Sequence, residues 1–268
     1  MSINRRQFLR RAGMVTALGL GGSFIITGFR GKKAEAAAAA QYQTSQQGLK
    51  AKHWAMVVDM SKFKTEDDYN RVKEVCHSIH NVPDFGNTKD EIKWIWKDDY
   101  EHTFAGGHNE FLDEHVKESP FMVLCNHCEN PPCVKACPTQ ATFKRPDGIV
   151  AMDFHRCIGC RFCMAACPFS ARSFNFRDPR PFVKEIKADF PTRTKGVVEK
   201  CNFCVERLAE GLMPACVENS KGGLIFGDLD DPNSEVRKII STKFTIRRKP
   251  ELGTQPSVYY LVGGADHA

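Results

Sequence analysis

The chain has 268 residues, of which 42% are hydrophobic, and a formal net charge of +6, so it is long enough for one large or two small globular units. Seven of its 38 basic residues but only one of its 32 acidic residues lie within residues 1–40. The remainder therefore carries 31 residues of each charge, and this neutral balance gives no indication of a nucleic-acid partner.

The first 40 residues have the organisation of an export signal. Arg5 and Arg6 precede an uncharged run over residues 12–29, and an alanine-rich stretch follows. This order predicts a signal peptide, and the paired arginines resemble the twin-arginine (Tat) signal that addresses folded proteins to the bacterial translocase. A retained anchor is the alternative, but five glycines make the run a poor membrane helix. We therefore predict that residues 1–40 are a Tat signal peptide and that residues 41–268 are periplasmic.

The first cysteine, Cys76, stands alone, with 48 residues between it and the next one. The other eleven cysteines fall into three groups. Twelve cysteines in an exported protein would normally indicate disulfides, but export in the folded state allows a cofactor to be inserted in the reducing cytoplasm. The spacings are also those of metal ligands rather than of a disulfide framework.

Two of the groups are ferredoxin runs. The segment CIGCRFCMAACP follows the bacterial pattern C-x2-C-x2-C-x3-C-P, and CNHCENPPCVKACP is the same run with a longer gap before its third cysteine. In two-cluster ferredoxins the last cysteine of each run binds the cluster of the other run. The predicted ligand sets are Cys125, Cys128, Cys133 with Cys167, and Cys157, Cys160, Cys163 with Cys137. Zinc is the alternative metal, although zinc sites usually pair two C-x2-C knuckles.

The third group, KCNFCVERLAEGLMPACVENS, contains only Cys201, Cys204 and Cys216. It is therefore one ligand short of a [4Fe–4S] site. Ser220 stands four residues after Cys216, where the other runs carry their fourth cysteine. Cys76 is the one cysteine that remains unassigned.

From about His53 to Val262, the cysteine groups resemble the four-cluster iron–sulfur electron-transfer subunits of the dimethyl-sulfoxide/polysulfide reductase type. The resemblance implies an α+β fold of two fused bacterial (2[4Fe–4S]) ferredoxin-like modules with loop insertions, in which cysteine groups pair one with four and two with three. The implied divisions are a first module at 53–82 plus 196–230, a second module at 120–178, an insertion at 83–119 and a C-terminal extension at 231–268.

One ferredoxin run of that family is nearly erased here. A strand that ends in aspartate, HWAMVVDMSKF, should lead into it, but its first three expected cysteine positions hold Phe63, Glu66 and Tyr69. With Ser220, four ligands of a single cluster are missing, so the resemblance implies three [4Fe–4S] clusters. The implied third set is Cys76, Cys201, Cys204 and Cys216. The alternative is that Cys76 is a buried structural thiol and the third group is a zinc or degenerate site.

The resemblance implies a one-electron relay without a catalytic site or small-molecule substrate of its own. The sequence contains no G-x-S-x-G, no H-E-x-x-H and no glycine-rich nucleotide loop. The segment CHSIHNVP further resembles the periplasmic (DsrO-type) subunits of sulfite-reduction-associated membrane complexes. This implies an NrfD-like quinone-interacting membrane subunit, a multihaem cytochrome c and further complex subunits as partners. Alternatives are the iron–sulfur subunit of an exported molybdopterin oxidoreductase and a zinc-stabilised structural adaptor.

Three other features have two interpretations each. His77 and His80, beside the lone cysteine, either donate hydrogen bonds to cluster sulfur or are ordinary surface or core histidines. The insertion at 83–119 is either a partner-binding surface or a packed hairpin. The segment SEVRKIIST predicts a helix whose N-cap is Ser234 or Asn233.

Overall fold

The structure is a computed structural model that describes residues 47–105 and 110–261. The predicted signal peptide, residues 1–40, lies outside the described residues. Within them, ten strands and eight helices are interleaved along the sequence. This mixture of short helices and antiparallel pairs is an α+β arrangement, as the resemblance implies.

The strands are β1 (Trp54–Asp59), β2 (Ile95–Asp99), β3 (Pro120–Leu124), β4 (Thr142–Lys144), β5 (Val150–Met152), β6 (Ser173–Phe174), β7 (Val198–Glu199), β8 (Leu224–Asp228), β9 (Thr245–Ile246) and β10 (Val258–Leu261). The helices are α1 (Glu66–Ile79), α2 (Tyr100–Thr103), α3 (Glu114–Lys117), α4 (Pro132–Lys135), α5 (Phe162–Ala165), α6 (Val205–Ala209), α7 (Ala215–Glu218) and α8 (Glu235–Thr242). Short 3-10 turns cover Met60–Lys62, Arg180–Phe182 and Pro250–Leu252.

The largest sheet has four strands in the order β8–β1–β10–β9. Its central strand β1 is antiparallel to β8 and parallel to β10. Side chains alternate across a strand, and both faces of β1 are covered: Met56 and Val58 face the main core, whereas Ala55 and Val57 pack with Val236 of α8. The continuous apolar run WAMVV follows from this two-sided burial.

Three two-stranded antiparallel ribbons, β2–β3, β4–β5 and β6–β7, complete the strand pairing among the described residues. Each of the two predicted ferredoxin runs lies next to such ribbons: the first follows β3, and the second follows β5. The short ribbons therefore position the cysteine loops, while the larger sheet anchors the two distant parts of the sequence that flank them.

Helix α1 follows the predicted strand and carries Cys76. It begins with a capping box in which the Asp68 carboxylate accepts the backbone N–H of Thr65 at 3.0 Å. Tyr69, Val72 and Cys76 are its buried residues, and their spacing of three and four places them on one helical face. The amphipathic pattern therefore turns Cys76 into the core.

The insertion packs against α1, which supports the packed interpretation over a separate surface for this part of the molecule. Ile92 and Trp94 are buried, and β2 pairs with β3 from Ile95 opposite Leu124 onward. The phenol of Tyr69 on α1 donates a hydrogen bond to the carbonyl of the β3 residue Pro120 at 2.9 Å. The ribbon and the helix therefore share one core.

Helix α8 has the predicted position, and Ser234 is its N-cap, with the hydroxyl oxygen accepting the backbone N–H of Arg237 at 3.1 Å. It packs on β8 and β1. None of the helices in the described ranges is long and apolar enough to cross a membrane.

Candidate metal centres

Four cysteines from two separate runs line one cavity. They are the four predicted for the first set: Cys125, Cys128, Cys133 and Cys167. Burial raises the pKa of the Cys128 thiol to about 12, and repulsion from the thiols of Cys125, Cys133 and Cys167 contributes to this rise. Thiols that crowd in this way are stable as thiolates only if a cation binds among them.

Local structure explains how this set is formed. Cys125 follows β3 directly, and Cys133 lies in α4, whose first residue is a proline suited to a helix start. The loop between them is held by the C-terminal segment: the backbone N–H of Glu129 donates to the carbonyl of Gln255 at 2.9 Å, and that of Asn130 to Thr254 at 3.0 Å.

The second set lies closer to the surface. Burial raises the pKa of Cys163, and the thiols of Cys157 and Cys137 are among the neighbours that raise it further. At Cys137 burial also raises the pKa, but hydrogen bonds from the backbone of Thr142 and from Thr139 outweigh it and leave the pKa lowered. Cys160 is exposed on the same loop as Cys157. The structure thus groups three of the four predicted residues directly and places Cys160 at the rim.

Glycine is required at the tip of this loop. Gly159 has a φ of 71°, and a Cβ there would lie 2.4 Å from the carbonyl oxygen of Gly196. The two backbones therefore touch, and no other residue fits without a shift.

The third set gathers Cys76 with the last cysteine group. Its four thiols are buried, with 4–8% exposure, and they are Cys76, Cys201, Cys204 and Cys216. Burial raises the pKa of Cys76 well above its ordinary value, and repulsion from the other three thiols adds to the shift. Helix α1 supplies one thiol, and the segments around α6 and α7 supply the others. Cys76 is therefore not an isolated thiol.

The residues at the four missing ligand positions do not surround an open space. Phe63 and Tyr69 are buried with their ring centroids 5.2 Å apart. The buried Ser220 hydroxyl donates to the carbonyl of Val217 at 2.8 Å and accepts the backbone N–H of Leu224 at 2.9 Å. Aromatic packing and satisfied hydrogen bonds thus occupy the buried part of this place, and the exposed Glu66 forms an ion pair with Lys97 at its edge. We call these four positions the sealed site: Phe63, Glu66, Tyr69 and Ser220.

His80 is both a core residue and a neighbour of the Cys76 sulfur. It is a core residue, stacked on Trp94 with centroids 4.4 Å apart, and its Nε2 lies 2.8 Å from the carboxylate of Glu206. Its Nδ1 also lies 2.8 Å from the carbonyl oxygen and 3.7 Å from the sulfur of Cys76. His77 is partly buried, and burial lowers its pKa to about 3.

Buried cations next to the cysteines fit an anionic cofactor. Arg172 is 5% exposed, lines the cavity of the first set and donates to the hydroxyl of Thr142 at 3.0 Å. Its Nη2 has no hydrogen-bond partner, and no carboxylate pairs with it among the described residues. A buried charge is costly unless an opposite charge balances it. A [4Fe–4S] cluster with four thiolates carries net negative charge and would supply that balance.

Packing in the interior gives the order of the sets. Cys133 of the first set packs in one apolar cluster with Cys157 and Cys163 of the second set. The other cysteines of the first set lie in or against the main core, which also contains three of the third set: Cys76, Cys201 and Cys216. The first set therefore lies between the other two.

Sequence reasoning missed several residues around these sets. The ring of His127 stacks on Phe203 with centroids 3.6 Å apart. The buried Thr254 lowers the pKa of the Cys128 thiol. The position of His127 inside a cysteine loop was a usable signal. Nothing in the sequence around Arg172 or Thr254 indicated burial beside a thiol.

Comparison with known proteins indicates an iron–sulfur protein. Residues 118–180 match the family model described as a 4Fe-4S dicluster domain, and this range holds all eight cysteines of the first two sets. The chain is 42% identical over 236 residues to the Hdr-like menaquinol oxidoreductase iron-sulfur subunit 1 of Archaeoglobus fulgidus, covering 80% of this chain and 85% of that protein.

Two further relatives have related descriptions. The iron-sulfur cluster-binding subunit of menaquinone reductase from Nitratidesulfovibrio vulgaris is 33% identical over 234 residues, covering 78% of this chain and 88% of that protein. The B subunit of polysulfide reductase from Wolinella succinogenes is 42% identical over 139 residues, covering 51% of this chain and 64% of that protein.

Proposed function

This protein belongs to the family of iron–sulfur electron-transfer subunits of oxidoreductase complexes, and we propose that it relays single electrons through three [4Fe–4S] clusters. Each bound cluster would supply a one-electron couple. The chain itself holds the ligands, buries them from water and places charges such as Arg172 beside them. It is an electron-transfer subunit and not the catalytic subunit of such a complex.

The observation that carries the number three is the pairing of Cys76 with the last cysteine group. Cys76 is buried near the thiols of Cys201, Cys204 and Cys216, and it completes a set of four thiols. The sealed site, by contrast, offers no thiol and is filled by Phe63 and Tyr69. Two clusters would leave a buried four-thiol set without a cation, and four would have to displace a packed aromatic pair.

We also propose two fused ferredoxin-like modules with the divisions that the resemblance implies. The first module consists of two parts, 53–82 and 196–230. Strand β1 of the first part pairs with strand β8 of the second, so the two parts meet in one sheet. In the second module, at 120–178, the two runs exchange their last cysteines. Because the first set lies between the other two, electrons would pass in the order second set, first set, third set, or the reverse.

The proposed setting is the periplasmic face of the cytoplasmic membrane, reached by the Tat pathway. The partners would be an NrfD-like quinone-interacting membrane subunit and a multihaem cytochrome c, in a DsrO-type complex linked to dissimilatory sulfite metabolism. Support for a quinone-linked partner comes from the two relatives named for menaquinol and menaquinone. The likeness to the polysulfide reductase subunit favours a second candidate, the iron–sulfur subunit of a molybdopterin oxidoreductase.

Purification of the tagged protein from detergent-solubilised membranes tests this assignment. The expected result is a brown complex that bleaches with dithionite and contains an integral membrane protein and a haem-staining polypeptide. A molybdenum-containing subunit in place of the cytochrome would favour the second candidate. A colourless protein that contains zinc would contradict both and leave the structural adaptor.

A further inference from the structure

The three cysteine sets differ in their access to solvent. The thiols of the third set are buried, whereas Cys160 of the second set is exposed. Large apolar side chains stand on both sides of Cys160: Ile158 is 67% exposed and Phe162 is 60% exposed. Exposed apolar groups of this size next to a functional group are typical of an interaction site.

Contacts extend this surface beyond the loop. The guanidinium carbon of Arg161 lies 5.6 Å from the ring centroid of Phe176, which is 48% exposed. The backbone of Gly159 lies against that of Gly196. Lys195, which precedes Gly196 in the sequence, therefore lies near the loop that carries Cys160. We call this surface the Cys160 face, and its members are Arg156, Ile158, Cys160, Arg161, Phe162, Phe176 and Lys195.

The charge on the Cys160 face is positive. Arg156, Arg161 and Lys195 are exposed, and none of them forms an ion pair in the described part of the molecule. The neighbouring carboxylate of Asp153 accepts the backbone N–H groups of His155 and Arg156, but it forms no ion pair with the guanidinium of Arg156. The face therefore carries three cationic side chains without ion pairs around an apolar centre.

We propose that the Cys160 face docks a redox protein that presents an acidic rim around its own cofactor. This inference rests on the proposed electron relay and identifies the surface at which one electron crosses. One cofactor is oxidised by one electron and the other is reduced by one, and no bond is made or broken. An apolar centre with a charged rim is the usual anatomy of a specific interface, and complementary charge speeds encounter and fixes orientation.

An anionic membrane surface would also attract this face, but a lipid headgroup accepts no electron. The placement of a cluster ligand at the centre of the face is therefore better explained by a redox protein. The position of the face at one end of the order of sets agrees with this, because an electron has to enter or leave at an end.

Two small oxidants, one anionic and one cationic, test the charge on the Cys160 face. The protein is reduced with dithionite, freed of excess reductant and mixed in a stopped-flow instrument with ferricyanide or with hexaamminecobalt(III). We expect ferricyanide oxidation to slow as salt is raised. In R156E/R161E/K195E it should slow by about tenfold or more at low salt, whereas oxidation by the cobalt complex should become faster.

A matched control separates the local face from net charge. Arg237, Lys238 and Lys243 are exposed on or next to α8, and R237E/K238E/K243E changes the net charge by the same amount. The control should leave both rates close to those of the unmodified protein. The neutral variant R156Q/R161Q/K195Q should give an intermediate effect, and iron content establishes that each variant is loaded.

Binding gives a readout that does not depend on electron transfer. Calorimetry with a plant-type [2Fe–2S] ferredoxin, an acidic protein probe, should detect a complex at low salt with the unmodified protein and the control but not with R156E/R161E/K195E. Equal effects of the two charge reversals would overturn the proposal. So would binding to phosphatidylglycerol vesicles that only R156E/R161E/K195E loses, since that result assigns the face to the membrane.

The same experiments separate this inference from the function on which it rests. A protein that does not bleach with dithionite refutes the relay itself. A protein that bleaches but reacts with both oxidants irrespective of the charge at Arg156, Arg161 and Lys195 refutes only the docking surface.

Discussion

The sealed site and the Cys160 face occupy comparable places in two ferredoxin-type runs, yet they have opposite character. In the sealed site, Phe63 and Tyr69 are buried against each other and Ser220 bonds to backbone. In the Cys160 face, a thiol and large apolar side chains are exposed. Packed core thus occupies the place where the resemblance implies a missing cluster, whereas the thiol of Cys160, a proposed cluster ligand, is open to solvent.

Helix placement explains part of the difference. Helix α1 begins at Glu66, the second expected ligand position of the erased run, while α5 begins at Phe162, beside the third cysteine of its run. The backbone before α5 uses left-handed conformations at Gly159 and Arg161 to curl around a site. A regular helix at 66–69 cannot curl in this way. The sealed site is therefore closed by its backbone as well as by its side chains.

The largest predicted effect comes from Cys76→Ala, which removes the proposed fourth ligand of the third set. We expect the loss of one cluster, about a third of the iron, while the EPR signals of the other two remain. Ser78→Ala, an exposed change on the same helix, should leave the iron content unchanged. Full retention of iron in Cys76→Ala would show that this residue is not a ligand.

Tyr69→Ala tests whether packing has replaced a cofactor in the sealed site. Removal of the ring should lower the free energy of unfolding by about 3–5 kcal/mol, as measured by urea denaturation, with no change in iron content. Tyr69→Phe keeps the ring and loses the hydrogen bond to the carbonyl of Pro120, so its cost should be about 1 kcal/mol. Loss of iron in Tyr69→Ala with Tyr69→Phe unchanged would contradict a cofactor-free site.

Arg172→Gln tests the positive charge that is buried beside the first two cysteine sets. Because the guanidinium lies beside thiols of the first two sets, its positive charge favours the reduced, more negative clusters. Its removal should lower two midpoint potentials by an amount equivalent to about 1.5–3 kcal/mol each, in an EPR-monitored redox titration. The third potential should not move, and the exposed Arg237→Gln serves as the control. Equal shifts in all three potentials would argue against a local effect.

The smallest effect is expected for Ser220→Cys, which restores one lost ligand of the sealed site. We expect no additional iron, because Phe63 and Tyr69 still fill the space. Stability should fall by about 1–2 kcal/mol, since the hydroxyl bonds to Val217 and Leu224 are lost. A gain of iron in this variant would mean that the sealed site can still open around a cluster.

The cysteine spacing predicts the short ligand runs, because ligand geometry fixes intervals such as those between Cys125 and Cys128. The exchange of last cysteines was predicted from the ferredoxin pattern, and the structure places Cys167 in one cavity with the first run. The partner of the last group was inferred only from counting and resemblance, since Cys76 reaches it through the packing of α1. The apolar periodicity of that helix agrees with its buried face. The helix at 235–242 followed from a local pattern that allowed Ser234 or Asn233 as N-cap, whereas the α+β class was implied by the resemblance.

Other features could not be predicted because they depend on contacts between distant segments. The burial of Arg172 beside thiols and the effect of Thr254 on the Cys128 thiol arise where loops meet. The Cys160 face combines one loop with Phe176 and Lys195, and no single segment reveals which cations lack an ion pair. The apolar periodicity of a helix or strand predicts which of its faces is buried. It does not predict which residues from distant segments will contact that face.

The iron content of the purified protein, counted against its protein concentration and paired with low-temperature EPR of the dithionite-reduced state, tests the central claim most directly. Three [4Fe–4S] clusters require about 12 irons per polypeptide and three interacting reduced signals. About 16 irons would contradict a sealed site at Phe63 and Tyr69, and about 8 would contradict Cys76 as the ligand that completes the third set.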